Sequence, residues 1–423
     1  MQIMSKSIQS IEQAGVKLRY QVNAFKNNTE GIRHILVSRE TGIPMLASSL
    51  YETHLRMKSD SHNSRFIELY YFAHLYSWSE SVDLDLDRIL LSGSCLSIAQ
   101  VRSFASWIKS TRTGSNGVIP IQKRKGINSI FGACSVISTW FIQQYAFANI
   151  ENNRSALDKE RLIQAQRRYW KEVQIKSSKD SIAPDLTEDE VSTIEQFLKP
   201  TNRANYVGDA IANRDYLIWR MAIEFGMRLG EILAMRTIDC PTRAAPYFRV
   251  VRIEMRGDNY FDPRKNPPRP KTRSRDLGVM LRNSVFPKLV SEYVSGYRYK
   301  EMKHFGKKTR QFLLQHNFLI ISKHGAPLSI RAADAIAKNI KNNTGIDFNW
   351  HLARHAFFNR AYFAVTNIDN REEQKVKLAD LVYWGGWSDE SSLEIYTKRA
   401  RADRARLALC TWQKGGTEWI SLN

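Results

Sequence analysis

Residues 177–184, SSKDSIAP, form a polar break without any apolar pattern, and directly after it comes a helix start with every local signal in place. Thr187 and Glu190 have capping-box spacing, so that a hydroxyl and a carboxylate each satisfy a backbone amide at the helix entrance. Leu186 and Val191 sit where a hydrophobic staple would clamp that entrance. The predicted helix runs through Ile194 and Phe197, and Pro200 ends it. A break before so well specified a start divides the 423-residue chain into separately folding parts, as its length also favours. The expected division is an N-terminal extension over 1–45, a helical domain over 46–180 and a second domain over 181–423.

Upstream of the break the periodicity is helical. Ile98, Val101, Phe104 and Ile108 share one face, as do Ile130, Cys134, Ile137 and Phe141. A third helix, rich in Arg, Lys and Gln, covers roughly 155–175, and residues 122–125 read as a basic loop. Within the first 45 residues KLRYQV and RHILVS have the look of short strands. That extension suits an arm-site DNA module or a protein contact.

Downstream, YFRVVRIEM (247–255) and RDLGVML (275–281) read as strands around a long Pro-rich turn. Helices are predicted near 284–299, 329–343, 351–365 and 373–383, with Gly345 closing the second of these. The fold class is therefore mainly α with a small antiparallel β-sheet.

Composition narrows the function. Sixty-three Lys and Arg against 42 Asp and Glu leave a formal charge of +21, a surplus that repels itself unless a polyanion is the working partner. With 43% hydrophobic and 11% aromatic residues, global disorder is excluded. Cys95, Cys134, Cys240 and Cys410 lie far apart without a C-x-x-C pair, which argues against a disulfide framework and a cysteine zinc site. No apolar run reaches the ~18–20 residues of a membrane span, and the N-terminus lacks a signal-peptide layout. The expectation is a soluble protein of the cytoplasm, nucleoid-associated through DNA and without a membrane partner.

Three clusters carry chemistry. Within a helix predicted over 216–235, Arg228 and Glu231 stand three apart on one face. His351-Leu-Ala-Arg354-His355 places two histidines and an arginine within one helical turn. The cation between the histidines and the missing Glu after His351 disfavour Zn²⁺, whereas His and Arg at a helix start suit a phosphate. Trp384-Gly-Gly-Trp387-Ser388 is followed, nine residues after Trp387, by Tyr396 beside Lys398, Arg399, Arg401, Arg404 and Arg406. Each cluster alone reads more readily as structural: a helix ion pair, a packed histidine, a surface aromatic.

Taken in chain order, Arg-x-x-Glu, a basic hairpin, His-x-x-Arg-His, Gly-Trp-Ser and Tyr over about 185–410 resemble the tyrosine recombinase family, the phage-integrase-type site-specific recombinases. The resemblance implies a helical, SAM-like core-binding domain followed by a catalytic domain. It assigns Arg228 as the first catalytic arginine, Glu231 as its acidic support, His351 and Arg354 as the His-x-x-Arg pair, His355 as the histidine that follows and Tyr396 as the nucleophile. Trp387 stands where most members have His, and an indole N–H still donates to a phosphate oxygen although it moves no proton. The family's hairpin lysine is best matched by Lys271, with Lys265 as its competitor.

The implied reaction cleaves DNA through a 3′-phosphotyrosine in a cationic pocket that favours the phenolate, and it needs no cofactor. The implied partners are double-stranded DNA, four protomers of this chain on two sites, and optionally a directionality or DNA-bending factor. A mobile-element integrase is the expected role. A type IB topoisomerase-like enzyme and a catalytically silent DNA-binding regulator are the alternatives. The tail after Leu409 docks either on a neighbouring protomer or on its own domain.

Overall fold

The computed structural model describes residues 18–27, 31–59, 61–113, 119–146, 156–176, 185–242, 244–257, 260–271, 273–278, 285–299, 314–394, 396, 402, 405–406 and 409. Residues 1–17, the basic positions Lys398, Arg399, Arg401 and Arg404, and the tail from Cys410 lie outside the described residues. The chain forms two compact units, Met1–Asp180 and Ser181–Asn423.

The first unit opens with strands β1 (Tyr20–Asn27) and β2 (Gly31–Ser38), paired antiparallel from Tyr20↔Ser38 to Asn27↔Gly31. Helices α1 (Leu46–Lys58), α2 (His62–Ser81), α3 (Leu86–Leu91), α4 (Ile98–Ser110), α5 (Ile121–Tyr145) and α6 (Ala156–Glu172) follow. Leu18, Val22 and Leu36 of the hairpin segment enter one core with Tyr51, Phe72, Phe104, Phe131, Phe141 and Trp170. The described part of the first 45 residues is thus no free-standing extension, because its apolar face is buried on this unit's helices. Residues 122–125, expected as a loop, lie in the first turn of α5, where Gln, Lys and Arg are good helix formers. The predicted faces of α4 and α5 point inward: Val101, Phe104, Ile108, Cys134, Ile137 and Phe141 are all fully buried.

The second unit begins at α7 (Glu188–Leu198), whose Thr187–Glu190 capping box is formed in both directions at 2.8 and 3.2 Å. Pro200 does not only end α7. It is the first residue of α8 (Pro200–Val207), where its missing N–H would have had no helical acceptor anyway. Helix α9 (Asp209–Phe225) is the central helix and buries Leu217, Ile218, Trp219, Met221 and Ala222 completely.

The helix expected to run through 216–235 is broken. Gly226 takes a left-handed conformation at φ 60°, and a separate short helix, α10 (Leu229–Ala234), starts after Arg228. Strands β3 (Tyr247–Val250) and β4 (Arg275–Gly278) pair antiparallel with Phe248↔Leu277 and Val250↔Arg275. β3 is shorter than its sequence pattern, since Ile253–Met255 is a 3₁₀ turn, and residues 279–281 of the second pattern lie outside the described residues. Helices α11 (Val285–Ser295), α12 (Ile330–Thr344), α13 (Trp350–Thr366) and α14 (Arg371–Gly385) complete the unit, and Gly345 caps α12 at φ 74°. A core centred on Trp219, Phe248, Leu277, Phe286, Ile336 and Trp350 holds these elements together. Among the described residues no helix is long and apolar enough to cross a membrane, and no group of three His, Cys, Asp or Glu is placed to hold a metal ion.

Candidate active site

The site is built where the break after α9 meets α13 and the end of α14. Gly226 is required there twice over. Its positive φ strains any other residue, and a Cβ on it would stand 2.4 Å from Phe357 Cδ1 and 2.7 Å from Phe358 Cε2 of α13. That close approach brings the Gly226 carbonyl to Arg354, whose Nη1 donates to it. Two residues on, Arg228 is the N-cap of α10, and its backbone N–H donates to Glu231 Oε2 at 2.9 Å. Ending one helix and starting another turns the Arg228 side chain back across the α10 entrance, where Nη1 meets Glu231 Oε1 at 3.1 Å and Gly385 O at 3.0 Å.

Arg354 is 2% exposed. Its Nη2 donates to Gly385 O at 2.9 Å, and its guanidinium lies over the rings of Phe358, 4.6 Å away, and Trp387, 5.1 Å away. Burial and the Arg228 charge together lower its pKa to about 9, so that it is still a cation at neutral pH. Gly385 carries this junction because a Cβ there would stand 2.3 Å from Trp387 Cε3.

Glu231 has a stronger partner than Arg228. Arg275, on β4, grips both carboxylate oxygens at 3.1 and 2.9 Å, with each side chain of the pair 0% exposed. Burial alone would raise the Glu231 carboxyl. The adjoining Arg275 charge and hydrogen bonds, reinforced by Arg354 and Arg228, reverse this and hold it below its ordinary value. Arg275 Nε also donates to Trp384 O at 2.6 Å, tying the hairpin to the chain just before Gly385. Sequence reasoning missed Arg275. The available signal was strand alternation, which places it on the same inward face as Leu277.

The two histidines lie one turn apart on α13, with ring centroids 4.3 Å apart. Asn349 caps this helix by accepting from the amides of His351 and Leu352, so those two amides are already satisfied by the protein. Burial, then the charges of Arg354 and Arg228, lower His351. Burial, His351 and Arg354 lower His355 to about 4. Both rings are therefore neutral bases near pH 7.

Tyr396 is 3% exposed and packs against His355 (5.6 Å between ring centroids), Phe358 (5.6 Å) and Trp387 (5.7 Å). The expected stabilisation of its phenolate is outweighed. Burial raises its pKa further than Arg354 and Arg228 lower it, so the buried hydroxyl is held protonated above its ordinary value. Trp387 supports this ring and that of Phe358, 4.6 Å away.

Of the predicted site residues, Arg228, Glu231, His351, Arg354, His355, Trp387 and Tyr396 thus form one connected cluster. Lys271 and Lys265 are exposed on the segment before β4. Arg269 O would lie 3.1 Å from a Cβ on Gly230, which fixes the chain two residues before Lys271 against the start of α10. Arg264, next to Lys265, is instead anchored on Leu233 O and Leu328 O at 2.9 and 2.8 Å.

The chain was also compared with known proteins. No curated protein sequence matches the chain. Among solved structures, lambda integrase residues 75–356 bound to DNA is 12% identical, with 81% of this chain and 90% of that chain covered and a TM-score of 0.43. The XerH site-specific recombinase bound to palindromic difH substrate is 13% identical, with 75% and 85% covered and a TM-score of 0.40. XerA recombinase is 11% identical, with 86% and 97% covered and a TM-score of 0.36. The family profile is decisive where these distant likenesses are not: it matches residues 184–402, just over half of the chain, and the protein belongs to the phage integrase family, the tyrosine recombinases.

Proposed function

We propose that the chain is a site-specific DNA strand-exchange enzyme that works through a 3′-phosphotyrosine, in the role of a mobile-element integrase. The observation that carries this is the convergence of Arg228 and Arg354 on one carbonyl beside the buried Tyr396 ring. A phosphodiester repels nucleophiles until its non-bridging oxygens are met by positive donors, and two guanidinium forks supply them, with the Trp387 indole as a further donor.

Tyr396 Oη attacks phosphorus in line and the bond from phosphorus to the 5′-oxygen breaks. The phenol proton passes to neutral His351, with His355 adjoining. Lys271 gives a proton to the departing 5′-oxygen. Because Tyr396 begins as a phenol, proton removal accompanies attack rather than preceding it. The tyrosyl ester keeps the energy of the original bond, so a 5′-hydroxyl from another strand reverses the step without ATP. No metal or organic cofactor enters this scheme.

In this reading the first unit is the core-binding domain, and it grips duplex DNA together with the catalytic unit. Four protomers assemble on two sites, with a directionality factor as an optional accessory. The +21 charge makes phosphate contacts dominant and binding strongly salt-dependent.

The test is covalent trapping. The chain and its Tyr396→Phe variant are expressed with the native flanking DNA, denatured rapidly, and the attached ends sequenced. Adducts at one or two discrete sites, absent from the variant, are the expected result. Tyrosine-dependent adducts scattered over the genome would point to a topoisomerase, and DNA binding without adducts to a silent regulator.

A further inference from the structure

Resting on the strand-exchange reading above, we infer that Arg275 is a positioning residue for that reaction: it takes up the Glu231 carboxylate, so that the guanidiniums of Arg228 and Arg354 face the scissile phosphate with net positive charge.

The geometry sets up a competition for one anion. Glu231 Oε1 accepts from Arg275 Nη1 and Arg228 Nη1, both at 3.1 Å, while Oε2 accepts from Arg275 Nη2 and from the Arg228 backbone N–H, both at 2.9 Å. The Arg275 pair is bidentate and fully out of water, whereas the Arg228 side chain is 22% exposed. A buried, bidentate guanidinium–carboxylate pair is close to neutral when seen from a few ångströms away. Around this one carboxylate stand Arg228, Arg275 and Arg354, so the cluster as a whole keeps a surplus of positive charge.

Without Arg275 the same carboxylate would draw more fully on Arg228 and Arg354. An incoming phosphodiester would then meet one positive charge fewer, with an acidic oxygen beside the very nitrogen meant to bind it. Arg275 also holds Trp384 O at 2.6 Å, one residue before the carbonyl that receives both Arg228 and Arg354, so charge and position are set by one side chain.

A purely mechanical buttress predicts something different, and the two are separated by removing the acid as well. Adduct formation is measured with the full chain on a duplex carrying the core sequence mapped by trapping, for the wild type, Arg275→Met and Arg275→Met/Glu231→Gln. Far-UV circular dichroism and DNA binding are followed in parallel. Arg275→Met is expected to lose ~10²–10³-fold in cleavage rate, the scale of losing one well-placed charge stabiliser. Its remaining activity should rise as pH falls and Glu231 takes up a proton.

Adding Glu231→Gln should restore at least ~10-fold and abolish that pH dependence, since the charge left behind by Arg275 is gone. A double variant no better than the single one, or a single variant without the acid-side gain, would overturn the inference. If Arg275→Met does not fold, Arg275→Gln with the same second substitution carries the comparison. Lack of Tyr396-dependent adducts in the wild type would count against the strand-exchange reading itself, whereas adducts without rescue count only against the role given to Arg275.

Discussion

Arg228 and Arg354 donate to the same oxygen, Gly385 O, at 3.0 and 2.9 Å. Two cations held this close repel one another, and the protein offsets the repulsion with two carbonyls and the Glu231 carboxylate rather than by separating them. The arrangement is preorganised for an anion that accepts from both forks. Arg354→Lys keeps the charge but loses the planar fork and its stacking on Phe358 and Trp387. The expected result is a ~10²–10³-fold fall in adduct formation with DNA binding nearly intact, checked by adduct yield against a band-shift assay.

The glycines at this junction are expected to be intolerant for two different reasons. Gly226→Ala combines positive-φ strain with a clash against Phe357 and Phe358 and should lower unfolding stability by about 2–4 kcal/mol. Gly385→Ala clashes with the Trp387 ring and should destabilise by about 1–3 kcal/mol while displacing that ring from Arg354 and Tyr396. Urea unfolding checks the first. For the second, cleavage should fall well beyond the change in stability.

On the proposed mechanism Trp387 has two roles, as a packed ring and as a donor, which substitution separates. Trp387→Phe keeps an aromatic against Phe358 and Tyr396 but removes the indole donor, and adduct formation should fall less than ~10-fold. Trp387→Ala removes the ring that supports Tyr396, and adduct formation should fall by a further ~10-fold or more, with a stability loss of about 1–3 kcal/mol because Trp387 is only partly buried. Equal effects of the two substitutions would make the N–H, not the packing, the important part.

His355 makes stability depend on pH in a predictable sense. Its folded value of about 4 lies below the ordinary 6.5, so the fold favours the neutral ring. Between those values the unfolded chain binds more protons. The contribution is therefore fully present above pH 6.5 and is lost as pH falls towards 4, at about 1.4 kcal/mol per unit. His34 and His74 of the first unit, each lowered to about 4 chiefly by burial, act in the same direction. The difference between the wild type and His355→Gln isolates one residue. Its urea-unfolding stability should lose less than the wild type does between pH 7 and 5.

Parts of the fold and of the site were legible because their signals are local. The Thr187–Glu190 box, the Gly345 cap and the one-turn spacing of His351, Arg354 and His355 depend on neighbours in sequence, and each is formed. The break at Gly226 was not legible in that way. Apolar residues continue with helical period from Leu217 to Met235, and two glycines in five positions were the only local hint. What decides the break is the approach of Phe357 and Phe358 from a helix more than a hundred residues away. Tyr396 was misleading for the opposite reason: its neighbours in sequence are basic, but its neighbours in space are Phe358, Tyr362 and Leu393. Arg275 lay between these cases, since alternation turned it inward while nothing local named Glu231 as its partner.

The choice between Lys271 and Lys265 turns on which end of α10 each adjoins. Lys265 follows Arg264, which is pinned to Leu233 O near the end of α10 and to Leu328 O. Lys271 lies two residues after the Arg269 carbonyl that abuts Gly230 and four before Arg275, hence beside the end of α10 that carries Arg228. Lys271→Ala should therefore lower cleavage of ordinary DNA by ~10²–10³-fold, and Lys265→Ala should change it by less than ~3-fold. A 5′-bridging sulfur at the scissile position leaves as a thiolate and needs no proton, so it should return Lys271→Ala to near the wild-type rate on the same substrate. Arg354→Lys should gain nothing from the sulfur, because on the proposed mechanism its defect lies at the non-bridging oxygens. Rescue of Lys265→Ala instead would transfer the proton donor to Lys265 and move the hairpin turn, not the arginine cluster, to a different place in the mechanism.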